Sequence, residues 1–228
     1  MGEINLTPIV DYQWNETSPF ITIALKKIEN YPNQRHIGIL HKRIDRNPSM
    51  LHLVWHHKLI NNDLDSIVKE NYYVIIPINL DPESGRALAG LCRRIIKRNP
   101  QIPYGIIFEG SNFSKDGILR LGKRSHGLTC ATFVMAVFAS FGKDLLREDE
   151  WILRKQDIAW HSSIIKTLEE TKSYHDISDE HIMNIRKEIG CVRFRPEEVA
   201  ASMLNKTIPV SFKFASEVGA KIVEMIPD

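Results

Sequence analysis

The chain has 228 residues, 43% of them hydrophobic, which is enough apolar material for one sizeable core. Its charged share of 25% is ordinary for a folded domain, and a formal net charge of +2 gives no basis for a nucleic-acid partner. No window approaches the roughly 18 consecutive apolar residues of a membrane span. Residues 1–7 lack the basic start and apolar run of a signal peptide, and Leu6 stands where a myristoylation signal needs Ser or Thr. The three cysteines, Cys92, Cys130 and Cys191, have no C-x-x-C spacing and cannot all pair within the chain. Free thiols in a reducing cytoplasm are expected, and export by a signal-independent route is compatible with the same residues.

Residues 21–28 alternate between apolar and basic side chains and read as a short helix or strand. A turn cluster, Tyr31-Pro32-Asn33, precedes a strand expected over 34–41. A turn over 45–49 separates it from a strand over 50–55, so the two form a hairpin with a long loop. A third strand is expected over 72–76, stopped by Pro77. Asp81-Pro82-Glu83 is a helix start: a capping carboxylate, proline at the first helical position, then an acid in the first turn. Ala87, Leu88, Leu91, Cys92, Ile95 and Ile96 follow at helical spacing, which makes Cys92 a core residue, and Asn99-Pro100 ends the helix. The basic run Arg93-Arg94-Ile95-Ile96-Lys97-Arg98 lies within it and reads as a solvated face.

Residues 103–108 read as extended, followed by a loop to Gly127. The stretch 130–141, closed by Gly142, is apolar on nearly all sides and is predicted to be a buried central helix. From about Asp157 the pattern turns helical and polar. Amphipathic helices are expected over 162–170 and 179–189, and Arg195-Pro196 opens another through Val199, Met203 and Leu204. The fold class implied is α+β: an antiparallel sheet on a central helix in residues 1–145, with a helical extension over 146–228 packed on that core.

The chemistry centres on Cys130. Thr129 can cap the helix, which places Cys130 in its first turn, where unsatisfied N–H groups and the helix dipole favour a thiolate. Sulfur in this role needs an imidazole to take and return its proton. His36 and His52 stand sixteen residues apart on neighbouring strands, so antiparallel pairing can bring them together, one as base and the other orienting it. His41, His56, His57, His126, His161, His175 and His181 complete the histidines. His52, His56 and His57 raise a metal alternative, but without H-E-x-x-H no metal is expected. Neither G-x-S-x-G nor a G-x-G-x-x-G or P-loop cofactor signature occurs, so no cofactor is expected.

The segment Gly127-Leu128-Thr129-Cys130-Ala131-Thr132-Phe133-Val134 resembles the nucleophile segment of NlpC-type papain-like peptidases, in which Cys opens a helix. The strand Arg35-His36-Ile37-Gly38-Ile39 comes first here, with His52 on the next strand and Pro103-Tyr104 about 26 residues ahead of Cys130. That order resembles the circularly permuted branch that holds the YiiX-like proteins and the lecithin:retinol acyltransferase relatives. The resemblance covers residues 30–142. It implies Cys130 as nucleophile, His36 as base, His52 as the third member and Tyr104 lining the site. Two features depart from it: Thr129-Cys130-Ala131 replaces Asp-Cys-Ser, and the interval from His36 to His52 is longer than in compact relatives.

The resemblance implies acyl transfer through an acyl-enzyme, with a peptide or amide substrate such as a cell-wall fragment. A lipid acyltransferase, thioesterase or phospholipase of the same fold is an alternative, and a catalytically inactive binding module is another.

Overall fold

The computed structural model describes residues 4–29, 31–76, 78 and 80–226, without the side chains of Pro32 and Asn33. The N-terminal residues 1–3, on which the leader reading partly rests, and Pro77, the expected strand stop, lie outside that set.

Six strands form one antiparallel sheet: β1 (Leu6–Pro8), β2 (Ile21–Ile28), β3 (Tyr31–His41), β4 (Ser49–Trp55), β5 (Lys58–Asp63) and β6 (Tyr73–Ile75), in the order β1-β6-β2-β3-β4-β5. A short helix, α1 (Leu64–Lys69), follows β5, and α2 (Pro82–Arg98) follows β6. A two-stranded ribbon of β7 (Asn112–Phe113) and β8 (Leu119–Arg120) leads to α3 (Cys130–Ala139). Five helices complete the chain: α4 (Lys155–Glu170), α5 (Lys172–His175), α6 (Asp179–Lys187), α7 (Pro196–Met203) and α8 (Phe212–Met225). The architecture is α+β with an antiparallel sheet, as expected.

The period-2 geometry of strands divides the sheet's residues between two cores. Ile21, Ile23 and Leu25 of β2, Ile37 and Ile39 of β3, and Leu51 and Leu53 of β4 join the main core with Phe133, Val134, Val137 and Phe138 of α3. Ala24, Leu40, Met50 and Val74 belong to the opposite side, where Ile67 of α1 and the N-terminal Ile9, Tyr12 and Trp14 cover them. Covering both faces explains why residues 36–41 are buried without a break. Val199, Ala200 and Met203 of α7 and Ala215, Val218 and Ile222 of α8 enter the main core, so it runs through residues on both sides of position 145. A smaller cluster packs α4 and α6, through Ile164, Leu168, Ile182 and Ile185, on Tyr104 and Ile106.

Local chemistry sets the helix ends. The Asp81 carboxylate accepts from the N–H groups of Glu83 and Ser84 at 3.1 and 2.8 Å, and Asn99 closes α2 in the left-handed conformation. Arg94 and Arg98, read above as part of a solvated face, donate through Nε to the carbonyls of Lys115 and Asp116 and so tie down the β7–β8 turn. Gly117 sits there at φ +80°, and a Cβ on it would come within 2.8 Å of the Ile95 nitrogen.

Two boundaries differ from expectation, and one reading left open between helix and strand is resolved. Tyr31 already belongs to β3, paired with Ile28, so Tyr31-Pro32-Asn33 begins a strand rather than forming a turn. Residues 21–28 are strand throughout. Helix α3 ends at Ala139, because Ser140 returns its hydroxyl to the Ala136 carbonyl, which leaves Phe141 36% exposed beside Gly142 at φ +63°. Among the described residues no helix is long and apolar enough to cross a membrane.

Candidate functional site

The β3–β4 ladder runs from the His41–Ser49 pair to the Ile39–Leu51 pair, while both strands continue beyond it. Where β3 and β4 no longer pair with each other lies a narrow cavity of about 100 Å³. Cys130, His36 and Tyr104 all line it. His52 does not; it stands behind His36.

Cys130 owes its place to its cap. Thr129 is extended, at φ −90° and ψ 174°, and its hydroxyl accepts from the Thr132 N–H at 3.2 Å. The Thr132 hydroxyl accepts from the Thr129 N–H at 2.7 Å in return, which completes a reciprocal box. This leaves the N–H groups of Cys130 and Ala131 outside the cap's own bonds. They and the Ile37 N–H of β3 act on the sulfur to favour its anion, as does the charge of Arg193. Burial outweighs them and pushes the thiol up to about 11.

The two histidines meet as their strand positions predict. His36 Nε2 and His52 Nδ1 are 2.8 Å apart, with the rings edge to face. They share the sheet side of Tyr72, whose ring stands edge-on to both. Burial, then His52 and Lys26, hold His36 well below its ordinary range. Burial likewise lowers His52 to about 4, with Glu70 opposing and Lys26 assisting. Both rings are therefore neutral at pH 7. His52 Nε2 is buried with no partner among the described residues.

Gly38 makes that contact sterically feasible. A Cβ there would lie 2.9 Å from the His52 Cβ and from Cγ and Sδ of Met50. The methionine end can swing away; the His52 Cβ cannot. Gly38→Ala is expected to cost about 1–3 kcal/mol by overpacking and to separate the imidazoles. Urea unfolding reports the first effect and the bonded imidazole N–H signal in proton NMR the second. An unchanged signal would remove Gly38 from the design of the pair.

Tyr104 is held by its backbone. Its N–H donates to His56 Nδ1 at 3.3 Å, and its carbonyl accepts from His181 Nε2 at 2.8 Å. Its ring lies 4.6 Å from that of Trp55. The segment leading to Cys130 is pressed against the same stretch: Leu128 N–H donates to the Pro103 carbonyl at 2.9 Å, and a Cβ on Gly105 would come within 2.4 Å of the Gly127 nitrogen. Tyr104 and Cys130 are thereby fixed side by side.

Other histidines have separate work. His41 bonds Asn61, and His126 pairs with Glu188, which also accepts from the N–H groups of Ile106 and Ile107. His56 and His57 lie in the turn after β4 rather than with His52. Among the described residues no group of three or more His, Cys, Asp or Glu side chains is arranged to hold a metal ion. Cys92 is wholly buried and Cys191 half-buried, and burial pushes both thiols up to about 12.

Sequence reasoning missed the cavity's cationic wall: Arg35 beside His36, and Arg193 from the segment between α6 and α7, with Trp160 of α4 next to it. The alternation of β3 could have flagged Arg35, a charge opposite no acid within a buried strand. Nothing local marks Arg193. Comparison of the chain with protein-family models, curated proteins and solved structures finds no match.

Proposed function

We propose that the chain is a cysteine hydrolase of circularly permuted, papain-like NlpC type, acting on a peptide or amide bond through an acyl-enzyme. The observation that carries this is the His36–His52 contact at 2.8 Å, with His36 and a helix-capped Cys130 lining one cavity. Bonding of His36 Nε2 to His52 leaves Nδ1 as the ring nitrogen available to the sulfur. For Nδ1 to accept a proton, the Nε2 proton must be donated to His52 Nδ1, which sets the tautomers of both rings.

The resting pair is a neutral thiol beside a neutral imidazole, so the proton moves as the carbonyl is attacked. His36 takes the thiol proton while Sγ bonds to the carbonyl carbon. The oxygen becomes an anion facing the N–H groups at the start of α3. Collapse breaks the C–N bond, and the leaving amine takes the proton from His36. Water then adds to the thioester, gives a proton to His36, and the acid departs as Sγ recovers that proton. The balance is one amide and one water consumed, one acid and one amine formed. A cell-wall peptide fragment is one substrate that the resemblance admits, and free thiols suit a reducing cytoplasm.

The test is acylation by p-nitrophenyl acetate, followed by p-nitrophenol release and intact mass with peptide mapping. A burst with an acetyl group on Cys130 alone, absent in Cys130→Ala, is the expected result. Acetyl spread over lysines with Cys130 bare would sink the nucleophile reading and leave a binding module.

A further inference from the structure

The cavity's charge points beyond a generic amide. Arg193 is 11% exposed and its guanidinium stacks on the Trp160 ring at 3.7 Å. Its nearest carboxylate, Asp157, is already engaged: Arg154 Nε holds it at 2.8 Å and Arg195 reaches it through Nη2 and Nε at 2.9 and 3.2 Å, while Arg193 stays 3.7 Å away. Arg154 also binds Glu198. Three guanidiniums thus meet two carboxylates, and among the described residues Arg193 is the one whose guanidinium makes no hydrogen bond. Arg35, the second cation of the wall, has its Nε buried with no partner. Glu197 lies close enough to feel both arginines, yet no ion pair joins it to either among the described residues, and burial pushes its carboxyl up towards the neutral form.

Two poorly compensated guanidiniums beside a nucleophile are costly unless something anionic uses them. We propose that this cavity takes an acyl group carrying its own carboxylate, received by Arg193 and Arg35 while Cys130 attacks the carbonyl a few bonds away. The planar fork of a guanidinium matches a carboxylate in two parallel bonds. Stacking on Trp160 restrains the plane of Arg193, and its guanidinium makes no hydrogen bond among the described residues, its contact with Asp157 being a 3.7 Å ion pair. A cavity of about 100 Å³ is well below the volume of an extended ligand site, so it suits a short acidic acyl end, with the leaving group outside. The inference rests on the nucleophile role of Cys130.

Paired alkylation tests it on the full chain. Iodoacetate and iodoacetamide differ by a carboxylate against an amide, and in both Sγ forms an S–C bond as iodide leaves. Rates at Cys130 are followed by peptide mapping, with free cysteine as reference. The iodoacetate-to-iodoacetamide ratio at Cys130 is expected to exceed that of free cysteine by about tenfold or more. An imidazolium would also favour iodoacetate, so the arginine variants decide. Arg193→Gln and Arg35→Gln should each bring the ratio back towards the free-thiol value. Arg35 lies half-buried at the rim, so its variant stands even if Arg193→Gln fails to fold. A ratio no higher than that of free cysteine, or one that Arg35→Gln leaves unchanged, overturns the proposal while leaving Cys130 a nucleophile. If neither reagent labels Cys130, the nucleophile reading fails and this inference falls with it.

Discussion

Replacing His36 with alanine is expected to slow acetylation of Cys130 by p-nitrophenyl acetate by about two to four orders of magnitude, the usual worth of a positioned general base. The size follows from the resting protonation state. With the thiol pushed up to about 11 by burial, almost no thiolate exists at pH 7, and attack depends on an acceptor at the moment of bond formation. His52 acts one step removed, through its 2.8 Å contact with His36. His52→Leu deletes the acceptor that holds the His36 tautomer, and a smaller loss is expected. His52→Asn returns an oxygen to the δ position and should recover much of the rate, as a merely space-filling role would not. If His36→Ala acylates as fast as the parent, the imidazole is no base, and Cys130 works without a partner.

What the sequence disclosed about this arrangement was what local chemistry controls. The Thr129 cap, the apolar run behind Cys130 and the strand alternation that places His36 and His52 on one face are all written within a few residues of the groups concerned. Tyr104 was legible only through resemblance; the clamp by His56 and His181 that holds its backbone spans 48 and 77 residues. Arg193 was invisible for the same reason. Its cavity neighbours Arg35 and Trp160 are distant in sequence, and its charge acquires meaning only once Arg154 and Arg195 have taken Asp157. In the fold, β5 and α1 escaped notice because β5 is an edge strand reading Lys58-Leu59-Ile60-Asn61-Asn62-Asp63, with polar side chains where a buried strand would show alternation. Helix α8 was missed although Ser211 caps it through the Phe214 N–H and Ala215, Val218 and Ile222 recur at helical spacing. Gly219 stands in that buried stripe, where a Cβ would lie 3.2 Å from the Glu197 carbonyl, so close approach to α7 replaced the large apolar residue a pattern search looks for.

The buried histidines should make the protein acid-labile well before its carboxylates titrate. His36 and His52 are 8% and 3% exposed, and both have folded-state values depressed below the ordinary 6.5 of an exposed imidazole. The sign follows from proton counting. Below about pH 6.5 the unfolded chain binds protons that the folded pair refuses, so stability is full above that pH and falls as the pH drops towards the folded value, about 4 for His52. His52 contributes about 1.4 kcal/mol per pH unit within its window, so it alone removes roughly 2–3 kcal/mol between pH 6.5 and 4.5, and His36, lowered by the same burial, adds a loss of the same sign. That is a large fraction of the whole stability of many domains, about 5–15 kcal/mol. Urea unfolding at half-unit steps across this range should therefore show a steep loss near pH 5. His161 and His41, also buried with lowered values, add to the slope in the same direction. His52→Asn separates the pair from these others: it should flatten the slope by about 1.4 kcal/mol per pH unit. An unchanged slope would mean that His52 takes its proton readily in the folded state. His36 would then lack the acceptor that leaves its Nδ1 free to act as base, because a protonated His52 has no lone pair to accept the Nε2 proton.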